Sequence, residues 1–373
     1  MSKIESIVAR TVKVPLDRAT AFARREVHAR EYTLVKVRTD DGLEGIGHCY
    51  SGHKGGGLVT EAVRNLIAPL IVGRDAHETE LLWKEMYQEG LLHGRTGSVM
   101  RAISIVDIAL WDRNARHASI PLYKYLGASY DSRVPAYASG GYYLEGKTPE
   151  MLGEELAGYV ALGFKAVKMK VGRGDLRFES ARIKAAREAI GPDVLLLLDA
   201  NNAWQDVPTA LRYIDRYTEH DPYWIEEPFS PDQIDNHATL ASRISIPVAT
   251  GEIEAGRWRF KELLDKRAAA ILQTDAAVCG GITEFRRIAA LADCYGVTMC
   301  PHWFHDLHIH LVASSANGQF VEFFPDDKVL NFRRLIDRQL EIVEGQLRLP
   351  TEHGLGYRFE DKAIAAFEAD VWC

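Results

Sequence analysis

Phe164-Lys165-Ala166-Val167-Lys168-Met169-Lys170-Val171 is the stretch whose reading decides the fold. Its β-branched and apolar residues Val167, Met169 and Val171 alternate with lysines, which is the period of a strand. Successive side chains on a strand point to opposite faces, so Lys168 and Lys170 share one face and Met169 takes the other. Two ammonium groups on one face repel. The expectation is a lowered pKa for one or both, which would make a neutral amine available as a base. A solvated strand edge also carries lysines, and the residues downstream decide between the two readings.

After Lys170 the chain repeats one arrangement, an apolar run closed by an ionisable residue. The closing residues are Asp199 after Leu195-Leu196-Leu197-Leu198, Glu226 after Tyr223-Trp224-Ile225, and Glu252 after Val248-Ala249-Thr250-Gly251. Asp275, His302 and Glu322 then close three more runs. Consecutive members of this series are 20 to 29 residues apart. A strand, a helix and their two loops take about 30 residues in a barrel of eight such units spanning roughly 250. Helical patterns at 180–190 and 208–217, with apolar residues three and four apart, fill two of the gaps. The polar groups should therefore converge at the C-terminal mouth of a parallel barrel, where barrel active sites sit.

The residues before this series read as a separate α+β unit. Residues 4–14 are strand-like, with Pro15 as the expected stop. Residues 31–38 are strand-like too. Thr39-Asp40-Asp41-Gly42 is a hairpin turn, and 43–50 is the returning strand. Helical patterns follow at 58–71, 78–89 and 98–118. Two segments have no firm period: 16–30, with Arg18, Arg24, Arg25, His28 and Arg30, and 51–57, with His53, Lys54 and three consecutive glycines. Both are expected to be mobile loops that close over a site and meet an anionic ligand; solvated basic loops are the alternative. The three glycines lack the Gly-Lys-Ser/Thr of a phosphate loop. Cys279-Gly280-Gly281-Ile282-Thr283 follows a predicted strand and precedes a helix, with Thr283 placed to cap it. That is the setting of an anion site, and equally of a tight strand-to-helix turn. Residues 326–373 break the barrel pattern and read as a return segment that packs on the first domain.

At 373 residues the chain has material for one large core and a second domain. A formal net charge of −7 argues against a nucleic-acid partner. No apolar run approaches the roughly 18 residues of a membrane span. The first residues show no apolar signal segment, and Cys49, Cys279, Cys294, Cys300 and Cys373 form no Cys-X-X-Cys pairs, which suits a reducing cytoplasm.

Taken in order, these residues resemble the enolase superfamily, and within it the mandelate racemase subgroup. The resemblance is carried by Val106-Asp107-Ile108-Ala109-Leu110-Trp111-Asp112, Ile120-Pro121-Leu122-Tyr123-Lys124-Tyr125-Leu126-Gly127, Lys168-Met169-Lys170, Asp199-Ala200-Asn201, Ile225-Glu226-Glu227-Pro228, Gly251-Glu252, Asp275 with Gly280-Gly281, Pro301-His302 and Glu322. It implies an α/β fold: a modified TIM barrel of the (β/α)7β type at 128–325, an α+β capping domain at 1–127, and a C-terminal segment at 326–373 returning to the cap. It implies that Asp199, Glu226 and Glu252 hold one Mg2+, a hard cation suited to carboxylate oxygens. Of the adjacent pair, Glu226 is taken as the ligand and Glu227 as its support or an ion-pair partner. Lys170 and His302 are implied as bases on opposite faces of the substrate. Asp275 would orient His302, Lys168 and Glu322 would meet the substrate carboxylate, and Asn201 its hydroxyls.

The implied chemistry is removal of a proton α to a carboxylate, the pattern already established for enolase-superfamily sites with a Lys or His base and Mg2+. The leading reading is an acid-sugar (aldonate or aldarate) dehydratase giving a 2-keto-3-deoxy acid, in which His302 protonates the departing β-hydroxyl. A racemase, epimerase or cycloisomerase using the same Lys/His pair is the alternative. The expected setting is a homo-oligomer in the cytoplasm with a small carboxylate substrate. Two departures stand out: His48, where relatives often carry an acidic residue, and Ile253, where some carry a polar one. Both are expected near the specificity pocket and argue against mandelate as substrate. A metal-dependent hydrolase would want His-X-His on the strand at 134–139, and none is there. His305, His308 and His310 are read as packing or polar-network residues.

Overall fold

The structure, a computed structural model, describes residues 2–23, 25–130, 132–327 and 329–369; Arg24 and Cys373 lie outside the described residues. The chain starts as an antiparallel sheet of β1 (Ile4–Phe22), β2 (Arg25–Thr39) and β3 (Glu44–Tyr50). The predicted turn at 39–42 joins β2 to β3, with Gly42 in the left-handed conformation. Gly45 and Gly47 on β3 let the helix Gly97–His117 lie flat on the sheet. A Cβ at either would sit 2.0 Å from the carbonyl oxygen of Ala109 or Ile105.

Pro15 does not end β1. The ladder shifts register between Pro15↔Ala29 and Thr20↔Val27, then resumes to Phe22↔Arg25. Proline lacks the amide hydrogen the ladder needs, and a bulge absorbs the gap. Within the segment 16–30, expected as a mobile loop, residues 16–22 and 25–30 therefore belong to the two strands of a hairpin arm. The arm is docked: Ala21 and Tyr143 exchange backbone hydrogen bonds of 3.1 and 3.0 Å. The glycine run at 55–57 opens a helix, Gly56–Ala62, whose first amide is taken by the Glu31 carboxylate at 2.8 Å. A π-helical turn at Val63–Ile67 links it to Ala68–Ile71, so the helix expected at 58–71 has three segments.

Eight parallel strands form the barrel: β4 (Arg133–Ser139), β5 (Ala166–Lys170), β6 (Leu195–Asp199), β7 (Pro222–Glu226), β8 (Val248–Thr250), β9 (Ile271–Leu272), β10 (Thr298–Met299) and β11 (Val321–Phe323). Each pairs with the next from β4 to β10, β11 pairs back on β4, and a Met299–Gly318 bridge joins the last two turns. Helices connect every pair, which makes a (β/α)7β barrel. The alternation read in the sequence sorts the two faces. Tyr137, Ala166, Leu197, Trp224 and Ala249 pack in the interior, while Val167, Met169, Leu196, Leu198 and Ile225 pack under the outer helices.

The return segment divides its contacts. β12 (Ile342–Val343) and β13 (Gln346–Arg348) form a hairpin on β4, with Leu347 opposite Val134, so this part packs on the barrel and not on the cap as expected. β14 (Glu368–Ala369) does return to the cap, pairing with β1 at Val12↔Ala369. Cap and barrel are also joined at the helix Gly281–Cys294. The Asp107 carboxylate accepts from the Thr283 amide at 2.9 Å and from its hydroxyl at 2.6 Å. That corrects the reading of 279–283. Asp107, not Thr283, caps this helix and fills the anion position, and a Cβ at Gly281 would lie 2.4 Å from its oxygen. No helix among the described residues is long and apolar enough to cross a membrane.

Candidate active site

Register sets the site. Lys170 is level with Asp199, Asp199 with Glu226, and Glu226 with Ala249 across β5 to β8. Three inward side chains thus share one layer at the C-terminal ends of the strands. Glu252 lies two residues past β8, and Asp275 and His302 three past β9 and β10. One oxygen from each of Asp199, Glu226 and Glu252 lies within 4.8 Å of the others. Among the described residues this is the one such group that could hold a metal ion.

The lysines do not behave as the repulsion argument expected. Lys168 is fully buried, with Nζ 2.6 Å from Glu226, 2.7 Å from Glu322 and 3.7 Å from Asp199. Lys170 is hydrogen-bonded to Asp199. Burial favours the neutral amines, but the carboxylates outweigh it and both lysines stand above their ordinary range. The same pairing, against burial, holds Asp199 and Glu322 down at about 2. Among the described residues Glu252 pairs with His302 and with no lysine. Burial and the neighbouring carboxylates lift it to about 7 despite His302, and its Oε2 is a buried acceptor without a hydrogen bond.

His302 is held from behind. Asp275 Oδ2 lies 3.1 Å from its Nδ1, while Asp275 Oδ1 accepts from the Ala277 amide and so caps a short helix, Ala276–Cys279. The other ring nitrogen faces Glu252 at 3.8 Å. Burial lowers the imidazolium's stability, but Glu252 and Asp275 more than offset it, and the pKa rises to about 9. Glu322 binds Lys168 with one oxygen and accepts from the Trp303 amide, 2.7 Å away, with the other.

Glu227 and Asn201 break strand alternation because both adopt left-handed backbone, with φ of 44° and 42°. Among the described residues Glu227 makes no ion pair. Its carboxylate accepts from Thr250 Oγ1 at 2.6 Å, Gly251 N at 3.0 Å and Asn202 Nδ2 at 2.7 Å. Asn201 donates its amide to Asp199 and keeps a buried, unpaired Oδ1.

A cavity of about 630 Å3 lies between the hairpin arm and the barrel mouth, and is lined by Lys170, Asn201, Glu252, Asp275 and His302. Lys168, Asp199, Glu226 and Glu322 are buried and do not line it. Ile253 lines the cavity, as expected. His48 does not. It is wholly buried, bonded to the Tyr357 hydroxyl at 2.7 Å and packed on Phe304 and Phe332. Burial pushes it down to about 3, a neutral core residue where a specificity residue was expected. His308 and His310 are network residues, accepting from the amides of Ala276 and Tyr123, and His305 packs on Phe323.

Sequence reasoning overlooked Tyr50, Arg101 and Tyr142 as lining residues. The Tyr142 ring lies 5.1 Å from Lys170 Nζ. It follows β4 directly, so the barrel period itself was the signal that would have found it.

The chain belongs to the mandelate racemase / muconate lactonizing enzyme family of the enolase superfamily. The model of that family's N-terminal domain matches residues 4–127, and the enolase C-terminal domain-like model matches 151–363. The chain is 35% identical over 348 residues to an arabinonate dehydratase of Saccharolobus solfataricus, covering 91% of each chain. It is 32% identical over 381 residues to a D-galactarolactone cycloisomerase of Agrobacterium fabrum, covering 98% of each. The solved structure of L-talarate/galactarate dehydratase from Salmonella typhimurium LT2 superposes with a TM-score of 0.92 at 29% identity, covering 100% of this chain and 93% of that one. A mutant L-talarate/galactarate dehydratase liganded with Mg and L-glucarate gives the same TM-score.

Proposed function

We propose that this chain is a Mg2+-dependent acid-sugar dehydratase that removes the proton α to a carboxylate and eliminates the β-hydroxyl, giving a 2-keto-3-deoxy acid. The observation that carries the reading is the pairing of a buried three-carboxylate cluster with Lys170 and the Asp275-backed His302, from β5 and from the loop after β10, in the lining of one cavity. Asp199, Glu226 and Glu252 fit a hard divalent cation. They offer oxygen alone, they crowd negative charge in a buried space, and Glu252 keeps an unpaired oxygen. Bound there, Mg2+ would offset the carboxylate charge that holds the lysines protonated and stabilise charge on the substrate carboxylate as the proton leaves.

The chain's own residues do the rest. Lys170, relieved of that carboxylate charge and close to the Lys168 ammonium, becomes a base at one face of Cα. His302, whose imidazolium form Asp275 stabilises from behind, donates from the other face to the departing β-hydroxyl. Asp275 fixes the ring and stabilises the imidazolium. Lys168 and Glu322, paired with each other behind the cavity wall, hold the charge of the site from there, and Asn201 Oδ1 accepts from a substrate hydroxyl. The dehydratases among the relatives support this reading.

The cycloisomerase relative keeps a second reading open, in which the same pair acts on a lactone. The test is a panel of aldonates, aldarates and their lactones incubated with Mg2+ and assayed for 2-keto acids. Keto-acid formation from an open-chain acid, abolished by chelation, is the expected result. Turnover of lactones alone would favour the second reading, and no turnover of any acid sugar would refute both.

A further inference from the structure

The lining that the cap contributes to the cavity is basic. Arg25, Arg30, His53 and Arg101 line it, against Glu26 alone among the acidic residues of the cap. Glu26 lies at the exposed rim, 3.2 Å from His28. Among the described residues no carboxylate pairs with Arg25, Arg30 or Arg101.

Arg30 is the built element of this wall. It is only 1% exposed, yet its charge has no counter-ion. Its Nε donates to the Val329 carbonyl at 2.7 Å, and its guanidinium lies 4.6 Å from the Trp303 ring centre and 5.2 Å from that of Tyr50. The aromatic faces fix the plane and satisfy part of the charge. Nη2 remains buried with no hydrogen-bond partner, as does the indole Nε1 of Trp303. Trp303 in turn stacks on His302 at 5.3 Å, so the indole links Arg30 to the proposed acid. A buried guanidinium edge without a partner costs stability unless a ligand completes it, and a planar carboxylate is the group that matches its fork.

We propose that the substrate is a dicarboxylate, an aldarate, whose second carboxylate is held by Arg30 with Arg101 beside it on the cap wall. The proposal rests on the dehydratase reading of the site and names its substrate class. An aldonate would set a neutral terminal hydroxyl against this wall and leave the arginine charge uncompensated. The cavity lies within the range of about 300–1,000 Å3 common for small-molecule sites.

The test compares galactarate with galactonate, and glucarate with gluconate, in the presence of Mg2+, by calorimetric binding and by kcat/KM. The wild-type protein should favour each diacid over its monoacid by at least about tenfold. Arg30→Met should cut that preference about 10- to 100-fold, the loss expected for a charge-assisted hydrogen bond. Arg30→Lys, which keeps the charge without the fork, should restore part of it. Should Arg30→Met fail to fold by circular dichroism, Arg101→Met carries the test and should weaken diacid binding. Equal affinity for diacid and monoacid, tighter binding of 6-phosphogluconate than of glucarate, or a preference unmoved by the arginine variants would overturn the proposal. Turnover of monoacids with diacids ignored would overturn it while the dehydratase reading stood. Diacid-selective binding without keto acid from any substrate would sustain it and refute that reading.

Discussion

Glu227→Gln tests how the metal cluster is held. Glu227 does not face the cavity, but it accepts from Gly251 N, next to Glu252, and from Asn202 Nδ2, beside Asn201. Glutamine replaces one acceptor oxygen with a donor. If the amide nitrogen faces Asn202, one bond of 2.7 Å becomes a donor–donor clash; if it faces Thr250 and Gly251, bonds of 2.6 and 3.0 Å are lost. Each is a bond to a charged group, so the smaller loss is about 1.5–3 kcal/mol. Groups that orient metal ligands typically cost 10–100-fold in metal affinity when removed, or about 1.4–2.7 kcal/mol, which matches that loss. Calorimetric titration with Mg2+ should therefore show an affinity lower by 10–100-fold, with the circular dichroism unchanged. A variant that melts earlier but binds Mg2+ as the wild type does would refute the reasoning, because Glu227 would then serve the fold alone.

Three further outcomes follow from the same structure. Asp107→Ala leaves the Thr283 amide and hydroxyl unpaired at the cap–barrel joint. At about 1–3 kcal/mol for each buried donor, thermal unfolding should show a loss of about 2–6 kcal/mol; an unchanged Tm would remove Asp107 from the joint. His48 has a folded pKa near 3 against about 6.5 unfolded, so below pH 6.5 the unfolded chain binds more protons. Its contribution is full above pH 6.5 and is lost as pH falls toward 3, by up to about 5 kcal/mol, so His48→Phe should flatten the acid limb of a Tm–pH profile. An acid limb as steep as that of the wild type would show that His48 is not held neutral. Glu252→Gln should abolish turnover and weaken Mg2+ binding with the fold intact; wild-type turnover would exclude it from the cluster.

The barrel was legible because its signal is periodic. Val167 and Met169 sort outward and Lys168 and Lys170 inward by strand alternation alone, and the regular spacing of strand ends put Asp199, Glu226, Glu252, Asp275, His302 and Glu322 at one mouth. What was not legible depended on partners distant in sequence. Pro15 reads as a stop because the ladder it re-enters is set by 25–30, across a bulge. The lysine pKa values go up because three carboxylates from other strands surround them, which Lys-Met-Lys in isolation does not show. His48 looks like a site residue until Phe304, Phe332 and Tyr357, all more than 250 residues away, close around it. Glu227 and Asn201 sit where alternation fails, and left-handed backbone at those positions carries no sequence signal in a glutamate.

The central claim is that Lys170 and His302 act on opposite faces of one bound acid. NMR in D2O, with Mg2+ and the substrate found by the panel, reads it directly. His302→Asn should block elimination, because the β-hydroxyl loses its acid, while Lys170 still exchanges the α-proton for deuterium on its own face. Lys170→Met should lose that exchange and, for a substrate of that configuration, the elimination with it. Full turnover by both variants would contradict the account.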